Sequence, residues 1–418
     1  MKKIVIVALF ASLPLSADDW PGFRGPLGNG VSTEKEAPTS WGPSKNIKWR
    51  VELPRMGNGS PIVSKGKVFV TCAEDDDGAK RSLYCFDRKD GKKLWSKTVD
   101  FGKKLPTHGT NGYCPSTPAA DGERVIVWEG SAGLFCYDYE GKPLWSANLG
   151  DFVHMWGDGV SPVLHDGKVF VNCGPGKRTF MAALDAKTGK KLWETEEPFK
   201  GTGDNNEDGK YRGSWCTPIV VKVDGKEQLI ATQPLRVVAY DLATGRILWW
   251  CEGIRHKKGD LAYSSPVAVG DTLVVVGGFN GPAMGVKLGG GKGDVTASHR
   301  LWRNEGQPQH IGSAVAVGDR LYQGIAGPGR VECVDPKTGK PAWQDPAGGG
   351  VYWGSVVLAA GRLYATNQKG ATIVFKPNPE KFELVATNEL NEMCNATPAV
   401  SDGQIFIRTH KALYCVAE

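Results

Sequence analysis

The residues of this 418-residue chain that could do chemistry fall in polar segments between short β-branched runs. In order they are Arg55 and Asn58; His108, Asn111 and Tyr113; His154, Trp156 and Asp158; Arg212 and Trp215; Arg255, His256 and Tyr263; Gln307, Gln309 and His310; Tyr352 and Trp353; Asn391, Glu392 and Asn395. Aromatic faces interleaved with His, Asn and Arg suit a flat, polar-edged ligand, held by stacking and by hydrogen bonds. The structural alternative is that the same rings plug a cavity mouth and bond the backbone. A transition metal would need several convergent ligands. Only His154 and His310 sit at like positions, and no His-x-x-His or Cys-x-x-Cys spacing occurs. Asp204, Asn206 and Asp208 before Gly209 match the first half of a calcium loop, with hard oxygens at alternate positions. The carboxylate that completes such a loop would fall at Trp215, so a calcium-like site stands against a solvated acidic turn. No Gly-x-Ser-x-Gly elbow or Ser-His-Asp set points to a hydrolase.

Those segments are positioned by a repeat. Asp185-Ala-Lys-Thr-Gly-Lys-Lys-Leu-Trp193 recurs from Asp241 to Trp249 and from Asp335 to Trp343, with looser copies at Asp87–Trp95 and Asp138–Trp145. Asp bonds its own backbone, Gly takes the positive φ that closes the turn, and Trp enters the next strand as an apolar anchor. Upstream of the turns a second signal recurs as a small residue before Pro or another small residue. It stands at Ser60, Thr117, Ser161, Thr217, Ser265, Ser313, Ser355 and Thr397, spaced by 42 to 57 residues. Between the two signals lie runs such as Lys67–Thr71 and Thr272–Val276, so each unit reads as four short antiparallel strands. Repetition of such a unit predicts an all-β, eight-bladed β-propeller. Residues 397–416 supply three strands without the turn and Trp, and the missing outer strand is available at residues 47–53. Sewing that N-terminal strand into the last blade would close the ring and remove two sheet edges.

With these residues in view, the Asp-x-x-Thr-Gly-x-x-x-Trp units resemble the repeats of pyrroloquinoline-quinone-type (PQQ-like) eight-bladed propellers. The resemblance covers about residues 46–418, read as a single domain, and implies that Trp49, Trp95, Trp145, Trp193, Trp249, Trp302 and Trp343 dock neighbouring blades. The seventh blade departs, with Phe382–Thr387 where a Trp is expected. The opening Asp19-Trp-Pro-Gly-Phe-Arg-Gly-Pro26 is similar to secreted bacterial propellers of this type. Two activities are implied. One is a quinoprotein dehydrogenase, oxidising an alcohol or sugar with pyrroloquinoline quinone and calcium. The other is a non-catalytic propeller like the subunit that assists outer-membrane barrel assembly. The dehydrogenases carry two adjacent cysteines over the quinone and a Glu-Asn-Asp calcium set, and several attach haem through Cys-x-x-Cys-His. This chain has no Cys-Cys dipeptide and no haem motif, and the calcium set cannot be placed.

The remaining segments bound the setting. Lys2 and Lys3, the apolar Ile4–Leu13 and Leu15-Ser-Ala17 form a secretion leader over residues 1–17, predicting a periplasmic or secreted protein. No apolar run reaches the ~20 residues of a membrane span, and the first cysteine is Cys72, so no lipid anchor is expected at the cleavage point. Residues 18–45 carry Trp20, Phe23 and Trp41 among Gly and Pro and read as an extended arm across one face of the ring. The formal charge is +6, scattered without a basic block, which argues against a nucleic-acid partner. Cys85, Cys136, Cys333 and Cys415 share one repeat position that other blades fill with Ala183 and Ala239, the pattern of a small buried site. Free buried thiols are the default, and Cys72 with Cys85 is the one pair placed to bridge. The expectation is a monomeric binding or scaffold propeller for a periplasmic or extracellular protein or glycan, without catalytic residues; the quinoprotein dehydrogenase is the alternative.

Overall fold

The computed structural model describes residues 19–198 and 211–418. The expected leader, residues 1–17, and the calcium-like residues Asp204, Asn206 and Asp208 lie outside the described residues. The chain is all-β: eight four-stranded antiparallel blades stand in a ring as an eight-bladed propeller. Blade one is Ile62–Ser64, Lys67–Ala73, Lys80–Asp87 and Lys93–Asp100. Blade eight is Ala399–Ser401, Gln404–Arg408 and Ala412–Val416, and its outer strand is Ile47–Glu52 from the start of the chain, with Trp49 opposite Cys415. Blade four gains a short parallel strand, Gly293–Asp294, on its outer edge. Among the described residues no helix is long and apolar enough to cross a membrane.

The repeated turn works as its residues dictate. Asp185 Oδ1 accepts the N–H groups of Lys187 and Thr188 at 3.1 and 2.7 Å and the Thr188 hydroxyl at 2.8 Å, while Gly189 takes φ +71°. The Trp145 ring of the preceding blade lies where a Gly189 side chain would be, 2.5 Å from an added Cβ. Its indole N–H donates to Ala186 O at 2.9 Å. Trp49, Trp95, Trp193, Trp302 and Trp343 likewise donate to backbone carbonyls of the next blade, those of Arg88, Tyr139, Leu242, Pro336 and Asn378. Trp249 differs: its indole donates to Gln228 of its own blade at 2.8 Å. The reason is in blade five, where Lys287 leads into a longer excursion without the Asp-Thr-Gly turn that would accept it.

Blade seven lacks the Trp, and Ala386 stands opposite Val374 at its place. The N-terminal arm covers this outer strand instead. The Trp41 N–H donates to Asn388 Oδ1 at 2.9 Å, and Trp41 is buried in a cluster against which Ala386 packs. Earlier in the arm, Trp20 pairs with Val63 of blade one and Pro21 O accepts the Ala120 N–H of blade two. Three residues on, the Arg24 guanidinium donates to Ala314 O of blade six. Blades two and six are opposite in a ring of eight, so Gly22 and Phe23 cross the channel axis.

All ten cysteines are free and buried. The Cys72–Cys85 pair does not form, because the register sets Cys72 opposite Ser82 and Cys85 opposite Phe69.

Candidate functional site

The inner strands begin at a circle of hydroxyls. The backbone N–H of Ser60 donates to Thr117 Oγ1 (2.9 Å), that of Thr117 to Ser161 Oγ (3.0 Å) and that of Ser161 to Thr217 Oγ1 (3.1 Å). At the fourth step the Ser265 hydroxyl donates to Thr217 O at 2.7 Å. The pattern then resumes through Ser265 to Ser313, Ser313 to Ser355, Ser355 to Thr397 and Thr397 to Ser60, at 2.9–3.0 Å. Seven of the eight buried N–H groups thereby gain a partner on the next blade, which the packing of inner strands around an axis would otherwise deny them.

Above this circle lies a cavity of about 280 Å³. All eight hydroxyl residues line it, together with Phe23 from the arm. Of the loop residues singled out by sequence, Asn58, His108, Asn111, Trp156, Asp158, Trp215, Tyr263, Trp353 and Asn395 line it, as does Gln309. The others lie elsewhere. The Tyr113 hydroxyl donates to Leu105 O, and its ring faces the Arg81 guanidinium. Arg212 pairs with Asp260 at 3.1 Å. His256 accepts the Lys258 N–H in its own turn, and Tyr352 is fully buried with its hydroxyl on Ala347 O. His154 and His310 are 2% and 3% exposed, and burial lowers both imidazoles to about 4, so they are neutral packing residues. Their spacing before a first strand reflects the repeat and not a shared ligand. Among the described residues no group of His, Cys, Asp and Glu could hold a metal ion.

One wall of the cavity is aromatic. Tyr211–Ser214 and Gly259–Ala262 form a parallel two-stranded ladder, which sets Trp215 and Tyr263 side by side at 5.4 Å. Trp156 joins them at 5.8 and 6.4 Å, its loop held by the Trp156 N–H on His154 Nδ1. Phe279 stacks on Trp156 at 9° between planes. Phe279 and Asn280 take φ +55° and +63°, a left-handed pair without glycine. Such strain, of order 1–3 kcal/mol per residue, persists where surrounding packing imposes it.

The facing wall is amide-rich. Asn58 Nδ2 donates to Thr110 O and Asn111 Oδ1 at 3.0 and 3.1 Å, and Asn395 Nδ2 reaches the same Thr110 O. Asn111 Nδ2 donates to the carbonyls of Trp156 and Asp158. These bonds tie four blade loops together and leave Asn58 Oδ1 buried without a partner. Among the described residues Asp158 is the one Asp, Glu, Lys or Arg of the lining, 3.9 Å from the Arg81 guanidinium. Burial, opposed by Arg81, raises its carboxyl to about 6. Glu129, 3% exposed and behind the same Arg81, has neither oxygen hydrogen-bonded and is raised to about 7 by burial.

This propeller geometry has known counterparts. The chain matches the family model described as outer membrane protein assembly factor BamB over residues 31–113, 79–345 and 327–418. The chain belongs to that family. The assembly factor BamB of Burkholderia pseudomallei is 24% identical over 377 residues, covering 79% of this chain and 87% of its own length. A polyvinylalcohol dehydrogenase of a Pseudomonas species is 27% identical over 169 residues, covering 37% of this chain. The quinoprotein alcohol dehydrogenase PedH of Pseudomonas putida is 26% identical over 191 residues, covering 44% of this chain. The matched stretch is 25% of the polyvinylalcohol dehydrogenase and 29% of PedH. In structure the chain is similar to BamB of Moraxella catarrhalis, with TM-score 0.59, 13% identity, and coverage of 88% of this chain and 99% of that one. It is similar also to a europium-containing methanol dehydrogenase, with TM-score 0.52, 12% identity, and coverage of 96% and 98%. Likeness at this identity shows the shared fold, which hosts more than one activity.

Sequence reasoning missed two contributors to the cavity. Phe279 sits within a blade rather than between blades, and Phe23 lies on the arm, so neither carries a loop signature. The hydroxyl circle was legible: all eight upstream signals begin with Ser or Thr, a restriction that "small residue" understates.

Proposed function

We propose that this protein is a non-catalytic binding propeller of the periplasm or cell exterior, which holds a small, polar-edged ligand at its channel mouth. One observation carries the reading: the cavity combines aromatic faces with amides and hydroxyls, while among the described residues no Lys or Arg lines it. The quinoprotein alternative requires the same place to hold pyrroloquinoline quinone, a tricarboxylate. Burying such an anion needs compensating cations. Among the described residues the charged lining residue is the carboxyl of Asp158, and the guanidinium beside it, Arg81, is 3% exposed and donates to Gly78 O and Glu129 O. No adjacent cysteines exist to cover the quinone. The described residues of the lining do not fit that cofactor.

The test is addition of pyrroloquinoline quinone with calcium to the purified protein, assayed with a redox dye over a panel of alcohols and sugars. No dye reduction above the quinone blank is expected. Turnover that requires the protein would overturn the reading.

A further inference from the structure

The chemistry of the cavity walls narrows the ligand class, an inference that rests on the binding-propeller reading. A lining that among the described residues has one carboxyl and no Lys or Arg disfavours anions. The ligand must therefore be neutral, and its edge must both give and accept hydrogen bonds. The asparagine amides have their hydrogens engaged and offer acceptors, while the Gln309 amide and the hydroxyls of the circle can also give, since a hydroxyl that accepts a backbone N–H keeps its own hydrogen to donate. Asn58 Oδ1 is an acceptor already buried and waiting for a donor.

The aromatic wall separates two neutral candidates, a nucleobase and a sugar. A base asks for a slot between parallel rings. Trp156 meets Trp215 at 39°, Tyr263 meets Trp215 at 62°, and Trp156 meets Tyr263 at 71°, which makes a curved surface. The parallel pair, Trp156 with Phe279, is closed at 5.9 Å between centroids and admits nothing. A curved wall of electron-rich faces matches the weakly positive C–H face of a sugar ring, and hydroxyls around that ring match the amides opposite. The volume is just below the ~300 Å³ at which small-molecule sites usually begin. With Phe23 crossing the axis on the far side, the cavity is blind, so a chain enters by its end.

We infer that the cavity is a saccharide site that takes the terminal ring of a neutral glycan, with its C–H face on Trp156, Trp215 and Tyr263 and its hydroxyls on Asn58 and the facing amides.

The experiment is isothermal titration of the full chain with glucose, galactose, mannose, N-acetylglucosamine and their β-1,4-linked disaccharides, alongside glucuronate and adenosine. Saturation-transfer NMR on the wild-type protein adds a readout that needs no variant: irradiating aromatic protons should saturate sugar ring C–H protons. At least one neutral sugar should bind saturably, at least about tenfold tighter than glucuronate, and Trp156→Ala should weaken it by about tenfold or more. Adenosine binding without any sugar, sugar binding without aromatic-to-sugar transfer, or no saturation up to about 10 mM of every sugar would overturn the assignment. A parallel titration with the quinone and calcium separates the two readings. Silent sugars with a silent quinone remove only the saccharide, whereas silent sugars with a bound quinone remove both.

Discussion

The backbone N–H of Thr397 donates to Ser60 Oγ at 3.0 Å, joining the inner strands of the last and first blades. The residues are 337 positions apart, yet their bond repeats the contact made between consecutive blades elsewhere in the circle. The hydroxyl is thus a structural element of the ring as well as part of the cavity lining. Ser60→Ala leaves the Thr397 N–H buried without an acceptor, a loss of about 1–3 kcal/mol in urea unfolding. Ser60→Thr restores the acceptor and should recover most of it. Equal stability of the two variants would show the bond to be dispensable.

The docking of Trp on Gly can be isolated from turn strain. Gly245 has φ +72°, and an added Cβ would lie 2.4 Å from the Trp193 ring. Gly225 has φ +76° with nothing within 4 Å. Gly225→Ala should therefore cost only the backbone term, about 1 kcal/mol, and Gly245→Ala at least about 2 kcal/mol. Chemical denaturation of both variants settles whether the close ring contact carries the difference.

The arm should be held by Trp41. Truncating a buried Trp costs about 3–5 kcal/mol in a core, but here the loss falls on a strap. Trp41→Ala should expose residues 19–45 to limited proteolysis while global unfolding shifts less than for Trp193→Ala. An arm as protected as in the parent would remove Trp41 as its anchor.

Acid lability has a definite sign. His154 and His310 ionise near 4 in the fold against 6.5 in the open chain, so the unfolded state binds more protons between those values. Their stabilising contribution is complete above pH 6.5 and is lost as the pH falls to about 4. Glu129 acts oppositely: raised from 4.5 to about 7, its contribution is greatest at low pH and is lost as the pH rises through about 7. His310→Gln should flatten the decline below pH 6.5, and Glu129→Gln should remove a decline between pH 4.5 and 7. Unfolding midpoints measured across that range would expose either assignment as wrong if the variant slopes match the parent.

Thiol counting tests the cysteine pattern. All ten cysteines should react with a thiol reagent in denaturant without prior reduction, and slowly in the native state, because each is buried. Eight reactive thiols would indicate a disulfide.

How much of this was legible follows from what repeats. Asp185, Gly189 and Trp193 recur because each blade needs a turn and an anchor, so the blade number and the outer strand at residues 47–52 could be read from local chemistry. The loops before the inner strands were also identifiable, which is why Asn58, Trp156 and Tyr263 meet at one mouth. What could not be read is direction. Nothing in the local sequence separates Trp353, which lines the cavity, from its neighbour Tyr352, which packs beneath it. Nor does it reveal that Arg212 would be drawn away to the buried Asp260. The contributions of Phe23 and Phe279 depend on long-range placement of an arm and on a strained turn, neither of which has a period.

The most direct measurement is tryptophan fluorescence of one protein preparation, titrated in parallel with a neutral β-1,4-linked disaccharide and with pyrroloquinoline quinone plus calcium. Trp156, Trp215 and Trp353 line the cavity, so occupancy by either ligand should change emission. A neutral-glycan-binding propeller predicts a saturable change with the disaccharide, lost in Trp156→Ala, and with the quinone only the linear attenuation of an absorbing solute. Saturable, calcium-dependent quenching by the quinone with no response to the sugar would contradict it.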